Sequence, residues 1–258
     1  MILTVDIGNT TVGVCGVERA GGYQVTFHGY LPTVRERTDY FPELEQLLLR
    51  AGASPERIEG AVLSSVVPCL DGPLVQAAER LLGKRPVKIG PDRETGLSFA
   101  IPHPEKLGLD RVADAAWAAR HYPLPAVTVD LGTATTFNIL GEQAVFLGGL
   151  IAPGLETGVR ALSARTAQLP AANLSGPAPL IGRDTQECIR SGALNGTAAM
   201  IDGIAARVEA ELDRAVTLVL TGGWAPLVEP LCLHPHQCDP WLLPRGLALL
   251  YDLYTGAV

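Results

Sequence analysis

V-D-I-G-N-T-T-V occupies positions 5–12, and V-D-L-G-T-A-T-T occupies positions 129–136. Each copy runs aliphatic, aspartate, aliphatic, glycine, with hydroxyl side chains close behind. The two aspartates, Asp6 and Asp130, stand 130 − 6 = 124 positions apart in a chain of 258 residues, so each phrase opens one half. An aspartate at the end of an apolar strand carries its carboxylate to the strand tip. A glycine two residues on lets the backbone bend there and turn its N–H groups outward.

The residues around each phrase repeat one plan. In the first half, 1–5 reads as a buried strand, 12–17 as a second and 23–31 as a third. A helix is predicted over 41–51, with Leu44, Leu47 and Leu48 on one face and Gly52 as its stop. An apolar strand at 58–67, a helix at 72–82 and a short strand at 86–89 follow. The second half opens with strands at 127–129, 136–140 and 143–151. Helices are predicted at 155–162, 184–192 and 197–213, then a strand at 216–220 ending in Thr221-Gly222-Gly223, and a last helix at 245–254. A duplicated α/β lobe with a cleft between the copies is the economical reading; the competing one is a chance likeness of two β-turns. The lobes are expected to span 1–115 and 116–258.

The chain is 47% hydrophobic and 18% charged, enough to bury a sizeable core. A net charge of −7 argues against nucleic acid or an acidic membrane as the main partner, while leaving room for a small anionic ligand. Five cysteines without regular spacing read as reduced thiols in a cytoplasmic protein. No signal peptide is expected, and no apolar run approaches the ~20 residues needed to span a bilayer.

A paired Asp-x-Gly turn suits phosphate oxygens. Thr10, Thr11, Thr133 and Thr135 add neutral donors, and an aspartate positions a hard cation or its water shell beside the phosphates. Two such turns facing each other hold a polyphosphate from both sides, which is most of what phosphoryl transfer requires. Neither G-x-x-x-x-G-K-[ST] nor a strand-linked G-x-G-x-x-G is present.

The paired turns resemble the phosphate motifs of the acetate/sugar kinase, Hsp70 and actin superfamily. Ser64-Ser65-Val66-Val67-Pro68, Gly108-Leu109-Asp110-Arg111, Gly148-Gly149-Leu150-Ile151-Ala152-Pro153-Gly154, Gly182-Arg183-Asp184-Thr185 and Thr221-Gly222-Gly223 follow in order. As a set they are similar to type III pantothenate kinase over essentially the whole chain. The resemblance implies two ribonuclease H-like, actin-like ATPase lobes, each a mixed sheet flanked by helices, with the active site in the cleft. It implies that Mg-ATP phosphorylates the primary hydroxyl of pantothenate. Asp6, Ile7, Gly8, Asn9, Thr10, Thr11, Val12 and Gly13 then line the ATP phosphates, with Asp6 near Mg2+ and Thr133 also contacting ATP. Asp130 helps hold a monovalent cation, K+ or NH4+. Asp110 is the proton acceptor, and Gly108, Leu109, Asp110, Arg111 and Thr185 bind pantothenate. A homodimer, with no nucleic acid or membrane partner, is the implied state.

The chain departs from the family pattern at three places: Leu109 stands for alanine, Asp184 for asparagine, and Ile101 near the place of a tyrosine. These put vitamin recognition in question more than reaction class. A nucleotide-binding regulator without turnover, or a kinase for another small hydroxy-acid or sugar, are the alternatives. Without the resemblance, Asp110 and Arg111 read first as a helix-start Asp with a neighbouring surface Arg. Cys232, His234, His236 and Cys238 tempt as zinc ligands, but their spacing is unlike the usual pairs, and an edge strand is expected there. The 35–37 run reads as a solvated loop or a flank of the cleft, and Trp117, Trp224 and Trp241 as packing residues.

Overall fold

The computed structural model describes residues 1–90, 93–166, 169–170, 172–176 and 178–257. In chain order the elements begin β1 (Ile2–Ile7), β2 (Thr11–Glu18), a one-turn α1 (Ala20–Tyr23), β3 (Gln24–Pro32), α2 (Phe41–Arg50) and β4 (Gly60–Ser65). Next come α3 (Asp71–Leu82), β5 (Val87–Lys88), β6 (Ser98–Phe99), α4 (Leu109–His121), β7 (Ala126–Leu131), β8 (Ala134–Leu140) and β9 (Val145–Pro153). The chain ends with α5 (Leu155–Arg165), α6 (Thr185–Leu212), β10 (Thr217–Thr221), α7 (Ala225–Val228), β11 (His236–Cys238) and α8 (Leu242–Thr255). Two compact units result: Met1–Leu97 with Ile101–Arg120 and Trp241–Val258, and Ser98–Ala100 with His121–Pro240.

The first unit holds a five-stranded sheet in the order β3-β2-β1-β4-β5. β1, β2 and β3 form an antiparallel meander, and β4 and β5 run parallel to β1 and β4. The second unit holds a sheet in the order β11-β10-β7-β8-β9-β6. There β7, β8 and β9 are the meander and β10 runs parallel to β7. Strand for strand, β7, β8, β9, β10 and β11 take the places of β1 to β5. Both sheets are mixed and flanked by helices, as expected of the duplicated fold.

Period-two alternation sorts each strand's side chains between two faces. In the first unit Leu3, Val5 and Ile7 pack with Leu44, Leu48, Leu70 and Leu74 from the α2 and α3 region. Ile2, Cys15, Val17 and Val62 pack instead with Val112, Ala113 and Ala116 of α4 and Leu247, Ala248 and Leu250 of α8. So the terminal helix, read as closing the second half, packs on the first sheet. Gly246 makes this possible: it lies so close to Ala113 that a Cβ there would overlap the Ala113 carbonyl. α8 is also pinned by charge. Asp252, fully buried, accepts from Arg19 Nε at 2.9 and 2.8 Å and from the Tyr23 hydroxyl at 2.7 Å, and Arg19 also pairs with Glu59. A buried carboxylate is tolerable only with such partners.

In the second unit Val127, Val129, Leu131, Leu218 and Leu220 pack with α5, α6 and α7. The helices expected at 184–192 and 197–213 are one helix, α6. Its buried Leu194, Ala198, Ile201, Ala205 and Val208 recur every three or four residues without a break, and this apolar seam outweighs the helix cost of Gly192 and Gly196. Trp117 is buried, and Trp224 packs against the second core. β11 forms the expected edge strand beside β10.

Candidate active site

The first glycine turn joins β1 to β2. Asp6 is the penultimate residue of β1, paired with Gly13 of β2 and Ser64 of β4; Ile7 pairs with Val12. Gly8, Asn9 and Thr10 make the bend, and the Gly8 N–H donates to the Thr11 carbonyl at 3.0 Å. Asn9, Thr10 and Thr11 are exposed. The end of β3 clamps the bend from outside. The Thr33 hydroxyl donates to the Gly8 carbonyl at 2.7 Å, the Thr33 N–H to the Thr10 carbonyl at 3.1 Å, and the Arg35 guanidinium to Asn9 Oδ1 at 3.4 Å. Arg35 therefore reaches the turn, while Arg37 pairs with Glu43 at 2.5 Å and stacks over Tyr40.

Asp6 and Ser64 share the parity of Ile2 and Val62, so they project on the sheet face covered by α4 and α8. Cys15 shares that face, and its thiol is pushed up to about 12 by burial, with the nearby Asp6 charge adding to the shift. Ser64 is fully buried, and among the described residues its hydroxyl has no hydrogen-bond partner.

α4 packs on this same face, and its first turn carries Asp110. The Asp110 carboxylate accepts from the Arg111 N–H at 2.8 Å. It lies over Gly108, where a Cβ would come within 2.5 Å of Oδ1. Arg111 is half-buried, and burial lowers its pKa against the opposing charges of Asp110 and Asp114. An arginine keeps its charge through such a shift. Asp114, 1% exposed, was not singled out in the sequence: among six apolar or small neighbours, its carboxylate is visible only once the helix is known to be buried all round. Leu109 packs against the α4–α8 core, which accounts for a larger residue than alanine there.

The second turn joins β7 to β8. Asp130 pairs with Thr136 and Thr221, and the Gly132 N–H donates to the Ala134 carbonyl at 3.0 Å. Thr133 is at the exposed tip. Its carbonyl accepts from the Gly154 N–H at 3.2 Å and the Thr157 hydroxyl at 2.7 Å, and the Leu131 carbonyl accepts from the Trp224 N–H at 3.1 Å. Gly222, at φ +94°, lies against the Asp130 carboxylate so tightly that a side chain would overlap it.

Thr185 is the first residue of α6 and lines a cavity of about 800 Å³ in the second unit, with Gly154, Leu155, Val159, Gly182 and Ile189. Asp184 caps α6, accepting from the Glu187 N–H at 2.8 Å; asparagine and aspartate serve equally in that position, so this departure leaves the helix start intact. At the Cys/His segment, Asp202 accepts from the N–H groups of Leu233 and His234, and Glu209 meets His234 at 3.2 Å. Among the described residues no three potential ligand side chains gather as a metal site.

The match to known proteins is decided over most of the chain. A family model for type III pantothenate kinase matches residues 2–207. The chain belongs to the type III pantothenate kinase family. The type III pantothenate kinase of Moorella thermoacetica is 36% identical over 257 residues, 99% of this chain and 100% of that one. That of Myxococcus xanthus is 36% identical over 253 residues, 97% and 98% of the two chains. Among solved structures, the activator of 2-hydroxyisocaproyl-CoA dehydratase from Clostridium difficile, with bound ADPNP, superposes with a TM-score of 0.52 at 14% identity, covering 99% of this chain and 95% of that one. At that identity the likeness speaks for the actin-like ATPase fold alone. Among the described residues no helix is long and apolar enough to cross a membrane.

Proposed function

We propose that this chain transfers the terminal phosphate of ATP to the primary hydroxyl of pantothenate, giving 4'-phosphopantothenate, the first step towards coenzyme A. Family membership supports the reaction. The geometric observation that supports the residue roles is that Asp6 and the Asp110-bearing start of α4 belong to one face of one sheet. In this reading residues 6–13 and Thr133 bind ATP, and Gly108, Leu109, Arg111 and Thr185 bind pantothenate. Asp110 accepts the hydroxyl proton as the new bond to phosphorus forms, since a primary alcohol is a poor nucleophile until it loses that proton. Arg111 supplies the fixed cation for the vitamin's carboxylate or the developing phosphate charge.

Asp6 fits a magnesium-nucleotide complex. Mg2+ is commonly held by one or two carboxylates together with waters and phosphates; Asp6 stands at the end of its strand directly across from Ser64, and the exposed Thr10 and Thr11 follow in the same turn, so the side chains this stretch offers a cation are all oxygen donors. When bound, Mg2+ neutralises phosphate charge; Asp6 holds it and the turn's N–H groups orient the phosphates. Asp130, braced by Gly222, serves a monovalent cation, K+ or NH4+. The protein works in the cytoplasm as a homodimer; the exposed Ile151, Leu180 and Ile181 of the second unit offer apolar surface for the subunit contact. The test is ADP release from the purified protein as pantothenate and K+ or NH4+ are varied, with mass detection of phosphopantothenate. Release that ignores pantothenate, or none, rejects the reading; light scattering tests the dimer.

A further inference from the structure

We propose that Ser64 is a positioning residue for Asp6: its hydroxyl donates to the Asp6 carboxylate when Mg-ATP is bound and holds that carboxylate on the cation. The inference rests on the reading of Asp6 given above. Ser64 sits directly across from Asp6 in the parallel β1–β4 register, on the same face of the sheet. In-register neighbours on adjacent strands lie about 4.8 Å apart, so the two side chains are within reach once either rotates. Ser64 is 0% exposed, and its Oγ is sealed from solvent without a hydrogen-bond partner among the described residues.

A sealed hydroxyl with nothing to bond disfavours the folded state; alanine there fills nearly the same space without a polar atom. A partner that arrives with the ligand accounts for its presence. Among the described residues no carbonyl of the sheet takes up the Ser64 hydroxyl, and the β1–β4 register continues past it to Val66, whose N–H donates to the Ile7 carbonyl at 3.0 Å. The second unit carries a hydroxyl at the matching place, Thr221 across from Asp130 in the parallel β7–β10 register. Both turn aspartates thus have a buried hydroxyl residue one strand away.

Wild type and Ser64→Ala are compared by thermal unfolding without ligand, with ATP plus Mg2+, and with ATP plus EDTA. The ligand-free variant is expected to melt at or above wild type. Its Mg-ATP-dependent rise in melting temperature shrinks, corresponding to roughly tenfold weaker binding, the loss of one hydrogen bond to a charged group. With ATP and EDTA the two proteins agree. In an Asp6→Asn background, Ser64→Ala adds no further loss, and Ser64→Thr keeps the wild-type Mg-ATP response. A Ser64→Ala chain that fails to fold, or melts below wild type with its Mg-ATP response intact, makes the hydroxyl merely structural and overturns the proposal. Additive losses with Asp6→Asn overturn it as well. Wild type that shows neither Mg-ATP stabilisation nor pantothenate-dependent ADP release rejects the kinase reading itself, and this inference with it.

Discussion

The two glycine turns start alike and close differently. Between the paired residues Ile7 and Val12 the first turn takes residues 8–11; between Leu131 and Thr135 the second takes only 132–134. The first is held from outside, by Thr33 and Arg35 at the end of β3. The second is held from beneath, where Gly154, Thr157 and Trp224 take up the carbonyls of Thr133 and Leu131, and Gly222 braces Asp130. One sequence phrase thus yields a longer loop tied to the strand end beside it and a shorter loop bedded on backbone, each with an exposed polar tip. In the proposed reading the longer one meets the phosphate chain that arrives and leaves, and the shorter one carries Asp130 for the fixed ion and Thr133 for the nucleotide.

The sharpest way to break this division of labour is to remove Asp110, the proposed acceptor of the proton. Asp110 lies on the first unit, with Asp6, so Asp110→Asn is expected to lower kcat by roughly 10²- to 10⁴-fold, the range for losing a general base. ATP affinity, assigned to the turns in the proposed reading, stays within a few-fold of wild type. Equal losses in both quantities would tie Asp110 to binding instead. Next in size is the pair Asp6→Asn and Asp130→Asn. The first should raise the Mg-ATP requirement by roughly 10- to 100-fold, as expected for losing one charged contact, and leave the response to K+ alone. The second should do the reverse. Kinetics over a grid of Mg2+ and K+ concentrations separates them, and identical profiles would mean the turns do one job together.

Much of this was legible in sequence because it is local. The duplicated hairpins, the starts of α2, α3 and α5 and the edge strand at 236–238 follow from local pattern. What was not legible depends on partners far along the chain. The letters align Thr11 with Thr135, but the hydrogen bonds align Thr11 with Ala134, because strand register is set across the sheet. Ser64 becomes informative only when β4 is laid beside β1. α8 joins the first sheet through Gly246 and Asp252, residues whose meaning is a contact with Ala113 and Arg19. The break placed between 192 and 197 followed glycine propensity, which tertiary packing overrode.

A smaller effect tests whether the second turn is the stiffer one. Gly222→Ala forces a side chain into positive φ and into Asp130, and is expected to cost about 1–3 kcal/mol from backbone strain alone. Gly8→Ala meets the Thr11 carbonyl at 3.0 Å and Asp6 Oδ2 at an ordinary 4.0 Å, with no positive φ, and should cost about 1 kcal/mol or less. Urea unfolding of both variants ranks them; the opposite order would make the first turn the rigid one.

The smallest effect concerns how α8 is held to the first unit alone. Burial, followed by the hydrogen bond to Asp252, pushes the Tyr23 hydroxyl up to about 12. Its unfolded value is about 10. A group raised on folding stabilises fully below its unfolded pKa, so Tyr23 contributes in full up to about pH 10 and loses that contribution as pH climbs towards 12. Tyr23 also meets the Trp117 ring edge-on at 5.5 Å, so Trp117 emission reports the loosening of this unit. Tyr23→Phe removes one hydrogen bond, worth about 1 kcal/mol at neutral pH, and should flatten the stability profile between pH 10 and 12. Arg19 still holds Asp252 in that variant, so α8 stays docked. An unchanged alkaline slope in Tyr23→Phe would place the sensitivity elsewhere and leave Arg19 as the partner through which Asp252 helps hold α8.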